Sequence, residues 1–340
     1  MAVSPFSGAA DPGADPFREH STARFSLYKQ ILGGLFRFDS NSEALLGLVS
    51  VAYGGLPEHR LPLNSPELHL DLRLCARQGA PNAAEPPPMV TQAGAGLFCG
   101  VLDASNYAIV APAQYRALVV ASEDMLESPY HLRYELIEFA VFILAARALG
   151  LVPLHGACVG RQGRGVLLLG ASGSGKSTLG LSCLLQGLDF LAEDAVFVEP
   201  HGLLATGVAN YLHVQADTLA FVDDDAARRW IAQSPTIRRR SGAQKFEADL
   251  RVGPAALAAS PLTLSSVVFV STQMADDPDQ LLVPISREAT AARLRADQAY
   301  AAGHLAWPHF EERVLRLTNY ELRRGNHPRA SAEALRRLLD

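Results

Sequence analysis

The chain predicts an α/β protein. A C-terminal domain over 126–340 is organised around a strand, a glycine-rich loop and a helix, and a smaller α+β domain over 23–125 precedes it. Three observations carry this reading. The run Gly165-Val-Leu-Leu-Leu-Gly170 is a short buried strand, and Gly170-Ala171-Ser172-Gly173-Ser174-Gly175-Lys176-Ser177 follows it directly. From 128 onward, runs that read as helices and as strands follow one another on both sides of that loop. Before that point, Leu68-His-Leu-Asp-Leu-Arg-Leu74 alternates apolar and polar residues with period two, which marks a half-buried strand.

Taken in order, residues 1–22 contain Pro, Gly, Ala and acids. They lack a basic segment followed by an apolar one, so they read as a disordered tail and not as a signal peptide. A strand region is expected over 27–38. A helix over 42–53 has Glu43 in its first turn and Gly54-Gly55 behind it. After the strand at 68–74, a loop rich in Pro, Ala and Gly is expected over 79–96, followed by short strands at 97–102, 107–110 and 117–121. Ser128-Pro129 opens a helix that runs to Leu149 and stops at Gly150. Strands follow at 151–160 and 165–170, then a helix at 176–185 and a strand at 190–198. Later strands are expected at 246–252, 264–271, 313–317 and 320–323, with helices at 286–302 and 331–339.

The 340 residues carry a net charge of −5, so no broad basic field is available to release counterions from a nucleic acid. The longest apolar stretch, 139–149, is too short to cross a bilayer, so no membrane partner is expected. Cys75, Cys99, Cys158 and Cys183 are scattered without zinc spacing, which suits a reduced, cytoplasmic chain. Cys158 and Cys183 sit among apolar neighbours and read as core residues rather than nucleophiles.

The glycine-rich segment has the form of a phosphate-binding P-loop: Gly170, four free positions, Gly175, Lys176 and Ser177. Such a loop lets backbone N–H groups near Ser172, Gly173 and Ser174 point inward at phosphate oxygens. Lys176 then reaches the β and γ phosphates, and the Ser177 hydroxyl holds Mg²⁺. Ser177 and Thr178 lie in the first turn of a helix whose N-terminus favours anions. The expected ligands are therefore ATP and Mg²⁺.

Glu193 and Asp194 end an apolar run 17 and 18 residues after Lys176. Neighbours on a strand face opposite sides, so both acids serve one site only if the strand ends or twists there. One would face the metal and phosphate, the other a hydroxyl to be deprotonated; the alternative is two solvated acids at a strand edge. His155, in Leu154-His-Gly-Ala157, is either a satisfied core group or a third member of the site. The dense basic segment Arg238-Arg239-Arg240 through Lys245 either clamps a triphosphate or acidic substrate, with Arg240 as the candidate, or is a solvated loop.

Together, Leu154-His-Gly-Ala-Cys-Val, the P-loop segment and Leu191-Ala-Glu-Asp194 resemble the HPr kinase/phosphorylase family, strongly so over about 151–200. The phrases Gly33-Gly-Leu-Phe-Arg-Phe38 and Ala52-Tyr-Gly-Gly-Leu-Pro-Glu-His59 resemble the looser group of HPr kinase-related kinases. The resemblance implies a P-loop kinase domain of the HPr kinase/phosphoenolpyruvate carboxykinase type. In it, Asp194 would accept the proton of the substrate hydroxyl, Glu193 would support the metal, and His155 would sit beside the transferring phosphate. It also implies a protein or peptide serine as acceptor and a homo-oligomer.

Departures from the family pattern are Ala171, Thr178 and Glu193 itself, which is Glu where the family has Asp. The stretch Leu204-Ala-Thr-Gly-Val-Ala-Asn-Tyr-Leu212 does not match the family's Leu-Glu-Ile-Arg-Gly-Leu-Gly segment. These departures argue against phosphorylase activity and against HPr as the acceptor. Two other functions fit the same residues: a nucleotide-binding switch or assembly ATPase, and a kinase of a small-molecule hydroxyl.

Overall fold

A computed structural model describes residues 24–63, 65–77, 85–254 and 256–340. The expected tail over 1–22 lies outside the described residues. The fold is mixed α/β, with sheets of seven, nine and three strands.

The first sheet begins with β1 (Phe25–Ile31) and β2 (Gly34–Ser40), an antiparallel pair where the sequence suggested one strand region. The turn between them is made by Leu32 and Gly33, both at positive φ. Helix α1 (Glu43–Tyr53) then leads to β3 (Leu68–Cys75), whose Leu68, Leu70 and Leu72 are buried as the alternation requires. Strands β4 (Val90–Gly94), β5 (Leu97–Asp103), β6 (Asn106–Ala111) and β7 (Arg116–Ser122) complete the order β1-β2-β3-β7-β6-β5-β4. Strand β4 forms within the expected loop over 79–96. Helix α2 (Pro129–His131) passes through a π-helical turn over Leu132–Ile137 into α3 (Glu138–Ala148). Leu136, Ile137, Ala140, Val141 and Leu144 of this helical run share a core with Phe36, Phe38, Leu70 and Val119 of the first sheet.

The nine-stranded sheet contains β8 (Val152–His155), β9 (Ala157–Arg161) and β10 (Arg164–Leu169), followed by helix α4 (Lys176–Leu185). Next come β11 (Asp189–Ala192), β12 (Ala195–Glu199) and β13 (Leu204–Gly207). A small antiparallel sheet intervenes: β14 (Tyr211–Val214), helix α5 (Asp225–Ala232), β15 (Thr236–Arg238) and β16 (Gln244–Asp249), in the order β14-β16-β15. The chain returns through β17 (Leu262–Met274) and β18 (Leu282–Ile285), then helices α6 (Arg287–Asp297), α7 (Ala299–Ala302) and α8 (Trp307–Val314). It ends with β19 (Asn319–Arg324) and helix α9 (Pro328–Leu339).

Strand β10 is central: β17 pairs with it in parallel and β9 antiparallel, and Gly165 to Leu169 are all buried. This is why its sequence reads as an unbroken apolar run. Cys158 and Cys183 are fully buried, and burial pushes both thiols up, in keeping with a core role. No helix among the described residues is long and apolar enough to cross a membrane.

The site is positioned by a double kink. Segment 152–161 pairs antiparallel with segment 189–199, but neither is one strand. β8 pairs with β12, β9 pairs with β11, and both segments break at the same level, around Gly156 and around Glu193-Asp194. The Gly156 N–H donates to the Asp194 carbonyl at 3.1 Å across the break. A Cβ at residue 156 would come within 2.7 Å of the Leu168 carbonyl oxygen, so only glycine lets the kink lie against β10.

Candidate active site

The loop between β10 and α4 wraps as its glycines allow. Gly170, Gly173 and Gly175 all have positive φ, and a Cβ at 170 would meet the Val270 carbonyl oxygen at 2.8 Å. Ser174 is buried and its Oγ has no hydrogen-bond partner among the described residues. Lys176 folds back over the loop, donating to the carbonyl oxygens of Gly170 and, at 3.2 Å, Ala171. Burial lowers its pKa, which is the expected signature of an ammonium held without a close carboxylate.

The loop forms one wall of a cleft of about 730 Å³. Ser172, Gly173, Ser174, Gly175, Lys176, Ser177 and Thr178 line it, together with His155, Glu193 and Asp194. Gly170 contributes its carbonyl to Lys176 rather than a surface to the cleft. The structure thus brings together nearly all the residues singled out in the sequence, from three separate stretches of chain.

The kink resolves how two adjacent acids share the site. The Asp194 side chain is 46% exposed and faces the cleft, with Oδ1 3.3 Å from His155 Nδ1 and Oδ2 3.7 Å from Arg239 Nη1. Glu193 sits deeper in the wall of the same cleft, and its side chain is 6% exposed. Its Oε2 accepts the His213 backbone N–H at 2.9 Å and lies 3.1 Å from His213 Nδ1. Burial alone would raise the Glu193 pKa, but the bonds from His213 and from the Ser177 hydroxyl hold it below the usual value. Glu193 therefore acts on the site through Ser177 and His213.

Arg240 is not brought to the cleft. Its guanidinium is spent on Glu135, at 2.7 and 2.6 Å, and on the carbonyl oxygens of Pro86 and Pro87. The neighbouring Arg239 is the one that reaches the site, because successive residues of the β15–β16 hairpin loop point to different sides. It lies 3.2 Å from His213 Nδ1, and its Nε is buried without a partner among the described residues.

Several groups in the site left no motif in the sequence. Lys245 lines the cleft, and burial and the Arg239 charge lower its pKa. Arg324, at the end of β19, donates to the carbonyl oxygens of Gly173 and Ser174 at 3.4 and 3.3 Å. Behind the cleft, Tyr134 donates to Glu247 Oε1 at 3.1 Å and also touches His213 Nε2 at 3.2 Å. Arg133 pairs with Glu247 as well. Glu193 and Glu247 flank His213 and raise its pKa against the opposing effect of burial. Glu138, fully buried on α3, is pushed up to about 8 by desolvation, so it is largely protonated at neutral pH. The i, i+4 spacing of Tyr134 and Glu138 on one helix is the only trace of this network in the sequence.

The cleft is thus lined by Lys176, Arg239, Lys245, Arg323 and Arg324 around the glycine loop, with the Asp194 carboxylate beside His155 and a second exposed carboxylate at Asp217. Such a surface suits a polyanion, with a carboxylate placed to take a proton. Among the described residues, no group of three or more His, Cys, Asp and Glu side chains could hold a metal ion by itself. A scan of the chain against protein-family models finds no match, and a search of curated proteins finds none either.

Proposed function

We propose that the chain is a Mg²⁺-dependent phosphotransferase that moves the γ-phosphate of ATP to a hydroxyl, with a serine of a protein or peptide as acceptor. On this reading, 126–340 is a P-loop kinase domain of the HPr kinase/phosphoenolpyruvate carboxykinase type. The observation that carries it is the joint placement of Asp194 and His155 at the kink, in the same cleft as the Lys176 loop.

The chemistry is mostly positioning and charge neutralisation. The acceptor hydroxyl oxygen forms a bond to Pγ as the bond from Pγ to the β–γ bridging oxygen breaks, with release of ADP. The hydroxyl proton passes to Asp194. His155, whose Nδ1 lies 3.3 Å from Asp194 Oδ1, would orient that carboxylate once the acceptor is bound. Lys176 gives up its carbonyl contacts for the β and γ phosphates, and Arg239 neutralises charge from the opposite wall.

The donor set fits Mg²⁺: Ser177 offers one hydroxyl oxygen beside a buried carboxylate, as expected for an ion that keeps several waters and binds chiefly through phosphates. Mg²⁺ would be held by Ser177 and supplies charge neutralisation on the triphosphate. Glu193 fixes the Ser177 hydroxyl for that task.

Incubating the full chain with Mg·ATP and serine peptides, and following ADP together with peptide mass, tests the reading. ADP formation matched by phosphopeptide is expected. ADP formation with no phosphorylated product of any kind would instead identify a switch or assembly ATPase.

A further inference from the structure

His155 and Asp194 also line a second cavity of about 750 Å³, whose other residues differ from those of the cleft. Its walls are Phe98 of β5, Phe139 and Phe142 of α3, Phe197 of β12 and Tyr300 of α7. Phe142 and Phe197 pack with ring centroids 5.0 Å apart, and Tyr300 is 58% exposed. A soluble surface rarely leaves such an aromatic concavity open without a ligand for it.

Two features say what kind of ligand. The first is Arg147, which lines the cavity with its guanidinium carbon 5.3 Å from the centre of the Phe98 ring. Among the described residues it makes no ion pair, and its Nε is shielded from solvent without a hydrogen-bond partner. The carboxylates of Asp194 and Asp297 line the same cavity, so it is at Arg147 itself, a cation beside aromatic walls, that an anion on the occupant would be held. The second is β4, which supplies Thr91, Gln92 and Ala93 to the same cavity. β4 is the outermost strand of its sheet and pairs only with β5 among the described residues. All five of its residues are exposed, so one backbone edge is left to accept another strand.

We propose that the acceptor is an extended peptide segment that adds to the free edge of β4. It places its hydroxyl at Asp194, seats a bulky apolar side chain among Phe98, Phe139 and Phe142, and pairs an acidic side chain with Arg147. The proposal rests on the kinase reading above and narrows its substrate. The phosphate-binding cleft and the peptide groove meet at the His155–Asp194 pair, so donor and acceptor are brought to the same carboxylate.

The test uses the full chain, Mg·ATP and synthetic serine peptides in which one position beside the serine is Ala or Phe and one of the next four is Ala, Glu or Lys. Peptide binding by fluorescence anisotropy, phosphate transfer, and binding of a labelled ATP analogue are read on the same samples. Peptides with Phe and Glu are expected to exceed the Ala peptide by about tenfold or more in kcat/KM, mainly through KM. In Arg147→Glu the preference should invert toward the Lys peptide by a similar factor, with nucleotide binding unchanged. N-methylation of alternate peptide amides should abolish peptide binding, since it removes the strand's donors.

Equal transfer to all peptides, or transfer confined to small hydroxy compounds, would overturn the proposal while leaving the kinase reading standing. Nucleotide binding with neither peptide binding nor transfer would overturn the proposal. Loss of nucleotide binding altogether would defeat the kinase reading, and the proposal with it.

Discussion

The two cavities that meet at His155 and Asp194 are built from opposite materials. On one side lie the glycine loop and the cations Lys176, Arg239, Lys245, Arg323 and Arg324, with Asp217; on the other lie Phe98, Phe139, Phe142, Phe197 and Tyr300 with the single cation Arg147 and the carboxylate of Asp297. Their volumes are nearly equal, so size does not separate them. The difference is in what each wall compensates. The first offers charge and hydrogen bonds, which reward a phosphate chain. The second offers apolar area and a strand edge, which reward a side chain and a backbone. The kink at Gly156 and Glu193-Asp194 is the one place where a group belongs to both.

The contrast can be broken from either side. The largest effect is expected from Lys176→Ala, which removes the loop's ammonium. Binding of an ATP analogue should weaken by roughly a hundredfold or more, with peptide binding in the aromatic cavity unchanged. Titration of each ligand separately reads this, and a parallel loss of peptide binding would mean that the two cavities are not independent.

Glu193→Gln should lower transfer by about tenfold to a hundredfold, since the carboxylate that holds Ser177 and His213 becomes a neutral amide. It should also cost about 1–3 kcal/mol of stability, because Glu193 and His213 are both buried. Single-turnover rates and denaturant titration measure the two parts.

Glu138 predicts a pH dependence of stability. Its ordinary pKa near 4.5 rises to about 8 in the fold, so the folded protein keeps a proton that the unfolded chain releases. The stability from this group is full below about pH 4.5 and is lost as pH rises through about 8. His213, whose pKa is also raised, acts with the same sign above its ordinary value of 6.5. Glu138→Gln should therefore flatten the fall of Tm between pH 5 and 8 by about 5 °C. An unchanged slope in the variant would show that the carboxyl is not protonated in the fold.

Arg240→Ala should change the least. Nucleotide binding should stay within about twofold of the parent, and the lost contact with the partly exposed Glu135 should cost no more than about 1 kcal/mol. Arg239→Ala, by contrast, should weaken transfer by about tenfold. Reversal of that order would return the phosphate clamp to Arg240.

What could be read from the sequence follows the range of the forces involved. The strand, glycine loop and helix over 165–185 were legible because backbone geometry dictates the residue types locally, and the alternation in β3 showed which of its faces is buried. The break between Glu193 and Asp194 was legible only as a condition, because the pairing with β8 and β9 that imposes it is non-local. The expected strand at 313–317 is instead the end of helix α8 and the turn behind it. Trp307, Phe310, Glu311 and Val314 form a buried stripe at helical spacing that outweighs the β-propensity of the residues at its end. Strands β13 and β14 and helix α5 were missed because four to eight residues give too few periods to stand out. Arg239 and Arg240 could not be told apart in sequence: the choice is made by Glu135 and the carbonyls of Pro86 and Pro87, more than a hundred residues away.

The central claim is that Asp194 takes the proton of the acceptor hydroxyl. It is tested most directly by Asp194→Asn, with single-turnover phosphate transfer to a serine peptide and ATP-analogue binding measured side by side. The account predicts a loss of transfer of about a hundredfold to ten-thousandfold with nucleotide binding retained. Transfer at the parent rate in this variant would contradict it.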